Sequence, residues 1–213
     1  MVDLRHSLKR LTSKARMRAP RFVRNAYRLA RSLSPGIESK TMPTELVKDC
    51  RVFGTRYDML DGIPSGGVVA ELGTYKGDFA REILRRNNPG ALHLVDIDYS
   101  FFDHELRNDA RVTCHLGFTT EVIRAFPDEF FDWVYIDADH SYRATLADAM
   151  AAANKVKMGG LIVFNDFAHN DLDLGRYGVH RAAIDFALEK RWPLACFALD
   201  SNALYDAAFK RVS

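Results

Sequence analysis

The sequence has no CxxC pair, no even set of cysteines and no long apolar run. Its three cysteines, Cys50, Cys114 and Cys196, are scattered. That spacing argues against a disulfide framework or a zinc cluster and suits a reducing compartment. No stretch reaches the roughly 18 apolar residues that a membrane span needs. No apolar core of a secretory signal follows the start. A cytoplasmic protein, at most peripheral to a membrane, is expected. The glycines at the first strand end do not form GxGxxG, since the third glycine and the spacing are missing. They do not form GxxxxGK followed by Ser or Thr either. A pyrophosphate cradle and a P-loop are thereby disfavoured.

Acidic charge is nearly missing from one end. Residues 1–33 hold ten Lys or Arg against the single acid Asp3, a net +9, which leaves 20 basic and 27 acidic residues, a net −7, for the rest. Two parts are therefore expected: a basic N-terminal arm with a linker, 1–39, and a mildly acidic domain, 40–213. In the arm, Leu4, Leu8 and Leu11 recur at helical spacing, as do Val23, Tyr27 and Ala30, with Ala19-Pro20 as a break. Such an arm suits a solvated extension, or a peripheral contact with an anionic membrane or an acidic partner. An Arg-rich, acid-poor start also fits a transit peptide. The domain itself shows no basic patch interleaved with aromatics, so nucleic acid is not expected as a partner. A homodimer is compatible with the sequence, which carries no direct sign of oligomeric state.

Thr44 to Met59 reads as a helix. A repeating pattern follows: strand VVAEL (68–72), helix at about 77–87, strand LHLVDI (92–97), and a short helix around 103–108. Strand RVTCHL (111–116), helix 119–126, strand FDWVYID (131–137) and an Ala-rich helix to about Val156 come next. Strand GGLIVFND (159–166), helix 179–190 and strands PLACFAL (193–199) and ALYDAAFKRV (203–212) complete the chain. Short apolar strands alternating with helices imply a parallel sheet covered on both faces. Only Asp200-Ser201-Asn202 separates the last two strands, too little for a crossover helix. The expected fold is α/β: a Rossmann-like, doubly wound, seven-stranded sheet, mostly parallel with an antiparallel last strand.

In such a sheet ligands sit beyond the carboxyl ends of the strands. The first end, ELGTYKGDFA, places Glu71 before a turn that holds Gly73, Tyr75 and Gly77. Glycine permits close backbone approach and unusual φ. An acid just before it suits a cationic or amine-bearing ligand. The second end places Asp96, with Ile97 beside it, where an acid can accept both hydroxyls of a ribose; Asp98 is the alternative. The third end, Gly117-Phe118-Thr119, offers a small residue, an aromatic and a hydroxyl for an adenine, though Thr119 can equally cap the next helix.

Together these ends resemble the class I S-adenosylmethionine-dependent methyltransferases. The stretch VYIDADHSYRATLADAMAAANKVKMGGLIVFNDF is similar to a small O-methyltransferase branch with a DxDHSY motif, and GVHRAAIDF (178–186) is similar to that branch's next helix. The resemblance spans about Val68 to Arg211. It implies S-adenosylmethionine held by Glu71, Gly73, Tyr75, Gly77, Asp96, Ile97, Gly117, Phe118 and Thr119. It implies methyl transfer to a hydroxyl of a small molecule or a sugar.

Asp137 closes the fourth strand, and Asn165 and Asp166 close the fifth. Three oxygens there suit a hard cation, Mg²⁺ or Mn²⁺. Metal-dependent relatives hold their cation at these positions; here an amide replaces one carboxylate. A metal-free role for Asp137 stays open beside this. His140 and His169 are the candidate bases, with Asp137 supporting the chemistry. Asp139 and Ser141 are expected to cap the next helix. Tyr75, Phe101, Phe102, Tyr142 and Phe167 are candidates to line an acceptor cleft. Two rivals remain: a nicotinamide-dependent oxidoreductase on a related sheet, and a non-catalytic nucleoside-binding relative.

Overall fold

In the computed structural model, which describes residues 40–168, 170–171 and 175–212, the apolar runs become strands. They are β1 (Arg51–Phe53), β2 (Val68–Leu72), β3 (Ala91–Asp96), β4 (Val112–Leu116), β5 (Phe131–Ile136) and β6 (Val156–Phe164). After them come β7 (Asn170–Asp171), β8 (Gly175–Arg176), β9 (Leu194–Ala198) and β10 (Asp206–Lys210). The helices are α1 (Arg56–Gly62), α2 (Asp78–Glu82), α3 (Thr119–Arg124), α4 (Tyr142–Ala152) and α5 (Val179–Lys190). A π-helical turn, Ile83–Asn87, continues α2. The basic arm, 1–39, lies outside the described residues.

Eight strands form one sheet in the order β1-β9-β10-β6-β5-β2-β3-β4. Strand β10 runs antiparallel to β9 and β6, and the other pairs are parallel. Strands β7 and β8 form a separate two-residue ladder. The Rossmann-like sheet with its reversed last strand is as the sequence implies, but it has eight strands rather than seven. The extra one is β1. The helix expected over Thr44 to Met59 is interrupted, because the Thr55 side chain caps α1 by accepting from Asp58 N at 3.1 Å. Arg51–Phe53 pairs instead with Cys196–Ala198 at the sheet edge. The Ala-rich helix also stops early, at Ala152, since Val156 already pairs with Phe131 as the start of β6.

Strand residues alternate between two cores. Val69, Leu94, Trp133, Tyr135 and Val163 pack against Met59, Leu60, Phe79 and Ile83. Ala70, Leu72, Val134, Ile136 and Phe164 pack against Ala149, Ala152, Val179 and Phe186. Burial on both faces is why the strands read as near-continuous apolar runs. Truncating a large aromatic here, such as Phe164 or Trp133, would cost about 3–5 kcal/mol. Strand β2 lies between β3 and β5. The chain leaves β2 toward β3 on one side and β5 toward β6 on the other, so the crevice opens at the carboxyl ends of β2 and β5. Among the described residues no helix is long and apolar enough to cross a membrane.

Candidate active site

Strand β2 ends in Gly73, whose φ of +94° favours glycine. Gly73 N donates to Val95 O at 2.8 Å, and a Cβ on Gly73 would lie 2.1 Å from the carbonyl oxygen of Asp137. The tips of β2, β3 and β5 therefore meet at this residue. Gly77, with φ of +89°, closes the turn through its N–H to Thr74 O at 2.9 Å. A Cβ there would strike Leu106 and Phe102. Tyr75 between them is exposed, with its ring 5.9 Å from that of Phe101.

Asp96 is more heavily used than the sequence suggests. Its Oδ2 accepts from Thr74 N at 2.9 Å and Tyr75 N at 2.8 Å, and its Oδ1 from Asp98 N at 2.9 Å. A carboxylate has about four lone-pair sites, so these bonds leave room for one ribose hydroxyl rather than two. Asp96 is first of all the clasp of the glycine turn. Ile97 beside it is half-buried.

Glu71 is 1% exposed, and among the described residues its Oε2 has no hydrogen-bond partner. Burial, followed by the fields of Asp137 and Asp96, pushes its carboxyl well above the usual range, against the pull of Arg56. The third strand end behaves differently from expectation. Gly117 N donates to Asp96 O at 2.9 Å, and half-buried Phe118 is the residue from which α3 starts. The Thr119 hydroxyl is committed to buried Asp148 on α4 at 2.8 Å, and Thr120 binds the same carboxylate. Thr119 is thus not the helix cap, which is Phe118, and its hydroxyl proton goes to Asp148. It ties α3 to α4.

The three oxygens assigned to a cation do converge, but on an imidazole. His140 Nε2 lies 3.5 Å from Asp137 Oδ1, 3.4 Å from Asp166 Oδ2 and 3.4 Å from Asn165 Oδ1. The ring stacks on Tyr177 with centroids 4.5 Å apart and planes at 12°. Burial, the largest influence, opposes the imidazolium. The hydrogen bond and charge of Asp137, with Asp166 and Asn165, outweigh it, so the His140 pKa is raised. The Asn165 amide Nδ2 turns the other way. It donates to Tyr135 OH at 3.0 Å and to Asp206 Oδ1 at 3.2 Å. Among the described residues no three His, Cys, Asp or Glu side chains are placed to hold a metal ion. As folded, Asp137, Asn165 and Asp166 fit an imidazole N–H better than the short shell of a hard cation.

His169 lies outside the described residues. Ser141 takes the capping role expected of it, its Oγ accepting from Ala144 N, whereas Asp139 Oδ1 accepts from Ser141 N and closes the turn before the helix. The five candidate aromatics do not share one cleft. Phe102 is core, Tyr142 OH donates to Asp185 at 2.8 Å, and Phe167 packs on His180. Sequence reasoning missed Tyr177, Tyr135, Asp206 and the role of Arg56. Arg56 faces the rings of Phe79 and Tyr57, and its charge acts on Glu71, Tyr135 and Asp206. Tyr135 and Asp206 carry no local signal, since one sits inside an apolar strand and the other at the start of one.

Residues 70–167 match a family model described as a methyltransferase domain. Among solved structures, a putative rRNA-methylase from Clostridium thermocellum is similar with a TM-score of 0.58 and 13% identity. That match covers 74% of this chain and 94% of the other. A SAM-dependent methyltransferase from Aquifex aeolicus matches with a TM-score of 0.57 and 10% identity, over 74% and 88% of the two chains. The B. subtilis tRNA methyltransferase TrmK matches at 0.57 and 12%, over 76% and 67%. These likenesses establish the fold. No curated protein sequence matches the chain.

Proposed function

We propose that this protein is an S-adenosylmethionine-dependent methyltransferase that acts on a hydroxyl of a small molecule or a sugar, with His140 as the proton acceptor and no bound metal in the transfer step. One observation carries the proposal: a histidine held among two carboxylates and an amide oxygen at the mouth between β5 and β6. A hydroxyl must lose its proton as its oxygen takes a methyl group, and a carboxylate-supported imidazole is suited to receive it.

The residues of the first strand end fit the cofactor. Glu71 Oε2 is a buried polar atom with no hydrogen-bond partner among the described residues, and Asp96 and Asp137 set up the negative field in the crevice that helps to raise its pKa. Such a field favours a ligand carrying an ammonium and a sulfonium. The glycine turn, with Gly73, Tyr75 and Gly77, would lie along the methionine part. Asp96 would hold one ribose hydroxyl, and Ile97, Gly117 and Phe118 would flank the adenine. When bound, the cofactor supplies an electrophilic methyl group. The chain's task is to orient the acceptor oxygen and take its proton. Asp137 and Asp166 stabilise the imidazolium that results.

The net −7 of residues 34–213 disfavours a nucleic-acid backbone as partner. The basic arm is proposed to meet an anionic surface, a membrane or an acidic partner. In support, residues 1–33 carry ten Lys or Arg against one acid.

The test is formation of S-adenosylhomocysteine from S-adenosylmethionine with a panel of sugars and phenols. His140→Gln should lower kcat by roughly 10²–10⁴-fold and leave calorimetric affinity for S-adenosylhomocysteine unchanged. EDTA should have no effect. Full activity in His140→Gln, or loss in EDTA that Mg²⁺ restores, would overturn the proposal.

A further inference from the structure

Asp206 lies at the start of β10 and is 1% exposed. Both of its oxygens accept: Oδ2 from Tyr135 OH at 2.7 Å, Oδ1 from Asn165 Nδ2 at 3.2 Å. Tyr135 has one hydroxyl proton and gives it to Asp206. Its oxygen can then only accept, and it does so from Asn165 Nδ2 at 3.0 Å. Both partners of that amide nitrogen are acceptors, so the NH₂ end of Asn165 must face them. The carbonyl Oδ1 is left pointing at His140 Nε2, 3.4 Å away. Asp137 Oδ1 and Asp166 Oδ2, the other two neighbours of Nε2, are acceptors as well. Nε2 therefore meets three acceptors at 3.4–3.5 Å.

We propose that Asp206 and Tyr135, acting through Asn165, are positioning residues that set the tautomer of His140, with the proton on Nε2 and Nδ1 as the basic nitrogen. An amide suits position 165 because it donates at one end and accepts at the other. A carboxylate there would face Asp206 on one side and Asp137 and Asp166 on the other, with no proton for either. The link to catalysis rests on His140 as the base; the tautomer itself does not.

The experiment is nitrogen NMR of the full chain labelled at histidine, at alkaline pH where Asp206 is ionised and the ring neutral. The His140→Gln spectrum assigns the signals. The wild-type protein should show a protonated Nε2 and an unprotonated Nδ1. In Asp206→Asn the new amide presents an N–H to Asn165, whose amide must reverse. Nε2 then faces an amide N–H beside the two carboxylates, so the neutral His140 ring should shift measurably toward the Nδ1-protonated form, and kcat should fall at least about tenfold with S-adenosylhomocysteine affinity unchanged. A wild-type ring protonated at Nδ1 would overturn the proposal even if the variant failed to fold. So would a folded Asp206→Asn protein with the wild-type tautomer. If His140→Gln keeps its methyl transfer while the tautomer is as expected, the base assignment fails and the positioning chain stands.

Discussion

A side-chain carbon on Gly73 would fall 2.1 Å from the carbonyl oxygen of Asp137. The turn after β2 and the tip of β5 are thus in backbone contact, and the cofactor end and the acid–imidazole end of the crevice share a wall. Gly73→Ala would have to move that wall and also hold alanine at φ of +94°. A loss of roughly 2–4 kcal/mol in urea unfolding is expected. Calorimetry should show weaker S-adenosylhomocysteine binding in whatever fraction stays folded. Wild-type stability and affinity together would contradict this.

Thr119 separates two roles that the sequence left joined. Because its hydroxyl serves Asp148, Thr119→Val should lower stability by about 1 kcal/mol and spare nucleoside affinity. Asp148→Ala removes the partner of both threonines and should cost more, about 1–3 kcal/mol. A large loss of S-adenosylhomocysteine affinity in Thr119→Val, with stability intact, would return the residue to the adenine site.

Asp206 also predicts a pH dependence. Burial raises its pKa from 3.8 to about 7, with Tyr135 and Arg56 pulling the other way. A carboxyl raised in the folded state contributes stability that is full below pH 3.8 and is lost as pH rises through about 7. Asp206→Asn lacks this contribution. The wild-type protein's unfolding free energy, less that of the variant, should therefore decline by roughly 4 kcal/mol between those limits. Denaturant titrations across the range check it, and a flat difference would refute it.

His93 and His115 stand on neighbouring strands with Nδ1 and Nε2 3.0 Å apart, and His93 packs among Phe126, Phe130 and Phe131. Burial, then His115, lowers the pKa of His93; burial lowers that of His115. The fold prefers both rings neutral. Their contribution is full above the unfolded value, about 6.5, and is lost as pH falls below it. His93→Phe should flatten the acid-side decline in thermal midpoint. An unchanged decline would place the acid sensitivity elsewhere.

Much of this molecule is legible along the chain. The alternation of apolar strands and helices, the short link after Ala198 and the two-glycine turn are local patterns. They carry the sheet class, the reversed strand and the place of the crevice. Local pattern misled at Thr44 to Met59, where Val52 and Phe53 find partners in β9, far away in sequence. Helical spacing in a short window cannot reveal an open sheet edge.

The residues around His140 show the same division. VYIDADHSY placed Asp137 and His140 at a strand tip, and the neighbouring Asn165-Asp166 pair was visible three dozen residues or fewer further on. That the oxygens would surround an imidazole nitrogen depended on how β5 and β6 register. That Asn165 would turn its carbonyl outward depended on Asp206, carried in by a strand that reverses beside β6. Sequence alone determined which chemical groups stand at the strand ends, because strand period and glycine turns are local properties of the chain. Tertiary structure alone decided which of them touch. Hydrogen-bond direction among buried groups is set by the whole list of donors and acceptors within reach, and that list is assembled only by folding.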